Sequence, residues 1–300
     1  MSLVLLATTH RVAPGLLTWR AWTVLHAARV LTATPDHPQL PYLGEAGVAV
    51  EVVEPDARAV VAAARTSDVV WLAAPDGDAA FAERVGELVV ADPLDVEVVH
   101  GSYDLPGARL LDMVSVMARL RRDCPWDRKQ THASLVPYLV EETYETVDAI
   151  ASGDPDELRE ELGDVLFQVV FHAAVAAERA DGFTIDDVAA GIVDKLIRRH
   201  PHVFADVEVT GADEVVANWD EIKKAEKAGR PLLAGVPRSL PAVLEAEDLL
   251  RKARKAGVPE ELLEGHNTLT DAAQAAEQRL KTWTGEFRTR VEAWERHSGG

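Results

Sequence analysis

The spacing of apolar residues changes near residue 105, and this change constrains the fold more than any other feature of the sequence. Before it, short apolar runs of strand length occur at 3–6, 48–53, 68–74 and 96–100. Two intervening segments have helical spacing, LTWRAWTVLHAARVL (17–31) and ARAVVAAAR (57–65). The pattern predicts an α/β region at the amino-terminal end of the chain.

From residue 107 onward, apolar residues follow a helical period and no strand signal interrupts them. Amphipathic helices are predicted at 108–123, 134–152, 155–180, 184–199 and 212–229. A looser, alanine-rich stretch follows, with helical segments at 240–256 and 268–296. We therefore expect three parts: an α/β domain at 1–105, an all-α domain at 106–230 and a helical tail at 231–300.

Charge and cysteine content restrict the class of protein. The formal net charge is −19, and a surface so acidic argues against broad nucleic-acid binding, although a divalent cation can still bridge carboxylates to a small phosphate ligand. The single cysteine, Cys124, excludes a disulfide within the chain and suits a reducing cytosol. The first residues resemble no signal peptide and no run is long enough to span a membrane, so we expect a cytoplasmic protein.

Acidic residues recur at helical spacing on two consecutive predicted helices. Glu142 and Glu145 form an i,i+3 pair before the turn at Gly153, and Glu161 and Asp164 form another after it. Counted from the turn at 1.5 Å per residue, one member of each pair stands about 10 Å away and the other about 14–15 Å. The two acidic pairs are therefore expected to stand level across an antiparallel hairpin, which Asp154 and Glu157 would cap.

Two interpretations of this arrangement follow from the residues. Acidic helix faces are often simply solvated, whereas several desolvated carboxylates close together require a cation. Four carboxylates suit Mg²⁺ or Mn²⁺, because hard ions prefer oxygen ligands. A di-iron site of the helical-bundle type would need Glu-x-x-His on its helices, and no histidine after residue 105 has a glutamate three residues before it.

The surrounding segments closely resemble the MazG family of nucleoside triphosphate pyrophosphohydrolases. They read CPWDRKQTHASLVPYLVEETYETVDAI, GDPDELREELGDVLFQVVFHA, DKLIRRHPHVFADV and NWDEIKKAEK, within about 111–229. The resemblance implies an all-α helical bundle that dimerisation completes. It implies that the protein is a homodimer or higher homo-oligomer and that its substrates are nucleoside triphosphates. It also implies that NTPs or dNTPs, including non-canonical or surplus nucleotides, are cleaved to the monophosphate and pyrophosphate.

Site residues are carried over from the family at matching positions. The resemblance implies that four carboxylates bind Mg²⁺ and are catalytic, namely Glu142, Glu145, Glu161 and Asp164. It implies that Glu141 is also catalytic and supports a ligand or orients water. It implies that residues contacting the nucleotide are Lys195, Arg199, Trp219 and Lys223. From the residues alone, Lys195 and Arg199 also suit a solvated helix face, and Trp219 suits a core position.

Other parts of the chain match the family less well. Residues 1–100 weakly resemble a degenerate tetrapyrrole-methylase-like region, and their few glycines argue against methyl transfer. The stretch from 231 resembles the linker before a second catalytic copy, which appears here only as inert helices without the acidic pairs. Cleavage at the γ-phosphate and a non-catalytic nucleotide- or metal-binding module are the alternative functions.

Overall fold

The computed structural model describes residues 1–75, 77–226, 229–263 and 266–298, and the chain divides into two compact units, 1–191 and 192–300. The first unit begins with alternating strands and helices. The strands are β1 (Ser2–Ala7), β2 (Arg29–Thr32), β3 (Val50–Val52), β4 (Val69–Leu72) and β5 (Asp95–His100). The helices between them are α1 (Trp19–Ala27), α2 (Leu40–Glu45), α3 (Ala57–Ala64) and α4 (Ala79–Ala91).

The five strands form one parallel sheet in the order β3-β2-β4-β1-β5. Apolar side chains of the inner strands are buried on both faces of this sheet, as parallel strands covered by helices require. One face packs Trp71 against Phe81, and the other packs Leu6 and Leu72 against Leu25. The predicted α/β region is confirmed.

β2 lies in a segment whose apolar spacing predicts helix. The predicted helix covers 17–31, whereas α1 ends at Ala27 and β2 begins at Arg29. β2 lies between β3 and β4, where Val30 and Leu31 are buried and the Thr32 hydroxyl donates to the Leu72 carbonyl. Pairing with distant strands overrode the local helical pattern.

Helices follow the sheet. They are α5 (Arg109–Asp123), a 3₁₀ turn (Asp127–Lys129), α6 (His132–Ser152), α7 (Pro155–Ala177) and α8 (Ile185–Arg199). α5, α6 and α7 enclose a small core of Met117, Leu135, Val170 and Phe171. The chain is thus mostly helical with an amino-terminal parallel sheet, while the domain boundaries at 105 and 230 stay predictions.

The regular elements described in the second unit are all helices, joined by irregular segments. The unit contains the carboxyl-terminal end of α8, then α9 (Pro201–Phe204), α10 (Ala212–Glu226), α11 (Ala242–Lys255), a 3₁₀ turn (Glu260–Leu262) and α12 (His266–Ser298). No described helix combines the length and the apolarity that a membrane span requires.

Candidate active site

The candidate site lies on the α6–α7 hairpin, whose turn the sequence specifies. Gly153 ends α6 with φ of 76°, a left-handed conformation that glycine adopts without strain. The Asp154 carboxylate caps α7 by accepting from the backbone N–H groups of Asp156 and Glu157. Glu157 does not complete a capping box with Asp154: its carboxylate accepts from the Ser152 hydroxyl at 2.6 Å, and that hydroxyl accepts from the Asp154 N–H at 3.2 Å.

The hairpin brings three predicted site residues together. Carboxylate oxygens of Glu142, Glu145 and Glu161 all lie within 4.8 Å of one another. Asp164 is not part of this group, yet its charge acts on both Glu142 and Glu161. Glu141 is exposed and lies outside the group.

The carboxylates repel one another. Desolvation raises the pKa of Glu142, and the negative charges of Asp164, Glu145 and Glu161 raise it further. Desolvation likewise raises the pKa of Glu161, followed by the charges of Glu145 and Asp164. No lysine or arginine of the described chain forms an ion pair with Glu142, Glu145 or Glu161. The site therefore concentrates negative charge without a positive side chain to offset it.

The Thr146 side chain contacts the backbones of both α6 and α7 at the level of the acidic group. The Thr146 hydroxyl donates to the Glu142 carbonyl at 2.8 Å and lies 3.4 Å from the Glu161 carbonyl on α7. It thereby joins the two backbones that carry the acidic side chains.

The acidic group fits a small divalent cation. Oxygen ligands at the 2.0–2.1 Å typical of Mg²⁺ span at most about 4.2 Å across the ion. The oxygens here are spread over up to 4.8 Å, so a slight inward movement of one side chain makes them fit. The donors are all carboxylate oxygens, the ligand type that hard ions prefer.

The four predicted nucleotide-contacting residues fall in the second unit, on α8 and α10. The Lys223 ammonium lies 4.5 Å from the Trp219 ring centroid, and the Arg199 guanidinium lies 6.0 Å from the same ring. Both are cation–π contacts. Lys195 is exposed on α8, four residues before Arg199.

Sequence reasoning missed Glu226, the residue that fixes Arg199. Its carboxylate accepts from Arg199 at 2.6 and 3.2 Å and from Arg198 at 2.8 Å. These two arginines lower the pKa of Glu226 to about 2. Glu226 follows Lys223 by three residues and Trp219 by seven, a spacing that places all three on one face of α10 and could have revealed it.

Three ring side chains near the hairpin make local contacts. His132 and His172 stack, with their Nδ1 atoms 2.8 Å apart. Trp126 is half-exposed and makes edge contacts with Tyr138 and Phe171, so it is not a core residue.

Comparison with known proteins finds similarity over the segment that contains the acidic group. The model of the MazG nucleotide pyrophosphohydrolase domain matches residues 130–204. A 26.1 kDa protein of Streptomyces cacaoi whose name gives no function is 55% identical over 176 residues, which are 57% of this chain and 73% of that protein.

Two further relatives carry informative names. The nucleoside triphosphate pyrophosphohydrolase of Escherichia coli (strain K12) is 48% identical over 48% of this chain, which spans only 57% of that enzyme. The crystal structure of a mazG-related protein from Thermotoga maritima shares 30% identity over 38% of this chain and 98% of its own, with a TM-score of 0.34. The matched domain model and the sequence identity to the E. coli enzyme show that the chain belongs to the MazG family.

Proposed function

We propose that this chain hydrolyses nucleoside triphosphates, NTPs or dNTPs, to the nucleoside monophosphate and pyrophosphate. The observation that carries the proposal is the convergence of Glu142, Glu145 and Glu161 across the α6–α7 hairpin, within the segment that matches the MazG domain. The name of the E. coli relative supports the reaction. The predicted cytoplasmic location is part of the same proposal.

The proposal assigns the cation to the acidic group. Glu142, Glu145, Glu161 and Asp164 would hold Mg²⁺, or Mn²⁺ in its place. Burial and mutual repulsion raise the pKa values of Glu142 and Glu161, and a bound cation offsets this repulsion. When bound, the cation supplies charge neutralisation and activation of the attacking water. Glu141, exposed beside Glu142, supports a ligand carboxylate or orients the water, and either Glu141 or one of the four ligand carboxylates receives the proton.

The basic residues of the second unit are assigned to the substrate. Lys195 and Arg199 bind phosphate oxygens, because charge-assisted hydrogen bonds from ammonium and guanidinium groups suit an oxyanion that gains charge during cleavage. Trp219 and Lys223 lie near the nucleotide, and Lys223 helps to stabilise the same negative charge. Glu226 keeps the Arg199 fork in one orientation.

Exposed apolar faces support a homodimer. Apolar side chains of α6 and α7 lie 37–62% exposed in the single chain. They are Val136, Tyr138, Val140, Tyr144, Val147, Ile150, Leu162, Leu166 and Val169. An apolar helix face of this extent marks an interface, and covering it with the same helices of a second copy completes the bundle.

Product analysis tests the proposed reaction. The full chain is incubated with each of the eight common NTPs and dNTPs, with Mg²⁺ or with EDTA, and the products are separated. We expect monophosphate and pyrophosphate only with the cation. Orthophosphate and diphosphate would place cleavage at the γ-phosphate, and binding without turnover would favour a regulatory module.

A matched pair of variants connects the reaction to the acidic group. Glu161→Ala removes a converging carboxylate, and we expect activity to fall by about 10³-fold or more. Glu160→Ala removes the neighbouring exposed carboxylate and is expected to keep activity. Equal activity in the two variants, with unchanged helicity by circular dichroism, would overturn the site assignment.

A further inference from the structure

The last helix presents an apolar surface that the reaction does not use. α12 has 33 residues and is therefore about 50 Å long. Its large apolar side chains are 48–73% exposed. They are Leu269, Leu280, Trp283, Phe287 and Trp294.

The surface follows the spacing of a coiled coil. Successive seam positions alternate between steps of four and three residues, which is the heptad pattern that keeps one face against a partner helix. The seam is formed by Leu269, Ala273, Ala276, Leu280, Trp283, Phe287, Arg290 and Trp294. We call these eight residues the α12 seam.

The sequence of α12 requires packing for stability. Between 282 and 289 it contains three threonines and Gly285, all weaker helix formers than alanine. Helices of such composition owe their stability mainly to burial of an apolar face. The described contacts of α12 with α11 occur elsewhere, near Gln274, whose side chain donates to Glu247 at 3.3 Å.

Three seam side chains already contact one another in the single chain. Trp283 and Phe287 stack with ring centroids 5.3 Å apart and planes at 6°. The Arg290 guanidinium lies 5.9 Å from the Phe287 ring centroid. An ordered aromatic ladder loses little side-chain entropy when a partner covers it.

Side-chain sizes select the orientation of a second copy. In a parallel pair in register, each seam residue meets its own counterpart, so that tryptophans face tryptophans, alanines face alanines and the two Arg290 side chains repel. In an antiparallel pair, each aromatic or arginine side chain of the seam faces an alanine or a leucine. The facing pairs are Leu280 with Trp283, Phe287 with Ala276, Trp294 with Leu269, and Arg290 with Ala273.

The flanking charges select the same orientation. Arg279 and Glu286 border the seam on one side. In the antiparallel register Arg279 of each copy faces Glu286 of the other, so the attraction occurs twice. In the parallel register Arg279 faces Thr284 instead, and Glu286 faces Val291. Such flanking pairs are what set partner orientation in coiled coils.

We propose that α12 pairs with α12 of a second copy as an antiparallel two-stranded coiled coil. The pairing is an association surface additional to the α6–α7 faces. It gives the carboxyl-terminal helices, predicted to be an inert remnant, a role in assembly.

Light scattering on the full chain tests the pairing. The test uses a Val140→Glu/Val147→Glu background, which opens the proposed α6–α7 association and leaves the α12 pairing between copies. In this background Trp283→Glu/Phe287→Glu places four charges in the centre of the paired seam, so we expect the molar mass to fall twofold. Gln278→Glu/Thr282→Glu adds the same charges on the opposite face and is expected to keep the mass of the background chain. If the seam variant keeps that mass at equal concentration and equal helicity, the pairing is wrong.

Cross-linking tests the orientation in a Cys124→Ser background. Arg279→Cys/Glu286→Cys is expected to give a covalent dimer on oxidation, because these positions face each other only in the antiparallel pair. The two positions are seven residues and about 10.5 Å apart on one helix, too far for a disulfide within it. Arg279→Cys/Thr284→Cys reports the parallel pair and is expected to stay monomeric on a denaturing gel. Cross-linking of the second variant alone, or of neither, would overturn the antiparallel arrangement.

Discussion

The parallel sheet and the α6–α7 hairpin belong to the same unit but bury their apolar side chains to very different extents. Every residue of β4 from Val69 to Leu72 is at most 1% exposed. On α6, Val136, Val140 and Val147 are all about half exposed. The sheet therefore completes its core within one chain, whereas the helices that carry the acidic group need further contacts. This difference is the physical reason for proposing that the catalytic helices associate.

The first and largest predicted effect compares an aromatic residue from each region. Trp71 is 1% exposed, stacks on Phe81 with ring centroids 4.0 Å apart, and donates from Nε1 to Asp78. Trp71→Ala leaves a cavity and removes one of two hydrogen bonds to Asp78, whose carboxylate still accepts from the Ala74 N–H. We expect the free energy of unfolding to fall by about 3–5 kcal/mol, mainly through the cavity. Urea denaturation followed by circular dichroism measures it.

The matched change on the hairpin is Tyr144→Ala. Tyr144 is 56% exposed on α6, so its truncation in the single chain creates no enclosed cavity. We expect a much smaller loss at protein concentrations low enough to dissociate the oligomer. An equal loss in the two variants under those conditions would contradict the contrast between the two regions.

The second prediction tests what covers the exposed helix face. Val140 and Val147 lie seven residues apart on α6, on one side of the helix. In a Trp283→Glu/Phe287→Glu background, which opens the α12 pairing, Val140→Glu/Val147→Glu places charges on that face, so we expect the molar mass to fall twofold with little change in helicity. Light scattering and circular dichroism on the same samples measure both.

The control uses two exposed valines of the sheet region, Val90 and Val98. Val90→Glu/Val98→Glu adds the same charge to a surface that the single chain already completes, and it is expected to keep the mass. A mass that falls in the control and not in the α6 variant would locate the interface on the sheet region instead.

The hairpin could be predicted from sequence because its determinants are local. Glycine at 153, the Asp154 cap and the i,i+3 spacing of the acids fix which side chains stand level, and the structure brings Glu142, Glu145 and Glu161 together. β2 could not be predicted in the same way, because pairing with β3 and β4 across the sheet decides its conformation. The ion pairs of Glu226 could not be predicted from local sequence either, because Arg198 and Arg199 lie on a different helix.

The third and smallest predicted effect concerns the acidic group without its cation. Burial and the charge of Asp164 raise the pKa of Glu142 above the value of about 4.3 expected for an unfolded chain. A carboxyl group with a raised pKa stabilises the folded state at low pH, and this contribution is lost as pH rises through the folded pKa. In EDTA, Glu142→Gln should therefore have a higher Tm than the unmodified chain at pH 8, with the difference vanishing near pH 4.

Calorimetry across this pH range measures the effect, and Glu160→Gln is the control because its carboxylate is exposed on α7. Mg²⁺ should reverse the order at pH 8, since the unmodified chain gains a ligand that the variant has lost. The same repulsion that weakens the metal-free hairpin then becomes the attraction for the cation. A Tm difference between Glu142→Gln and the unmodified chain that is independent of both pH and Mg²⁺ would show that the acids do not act as one group.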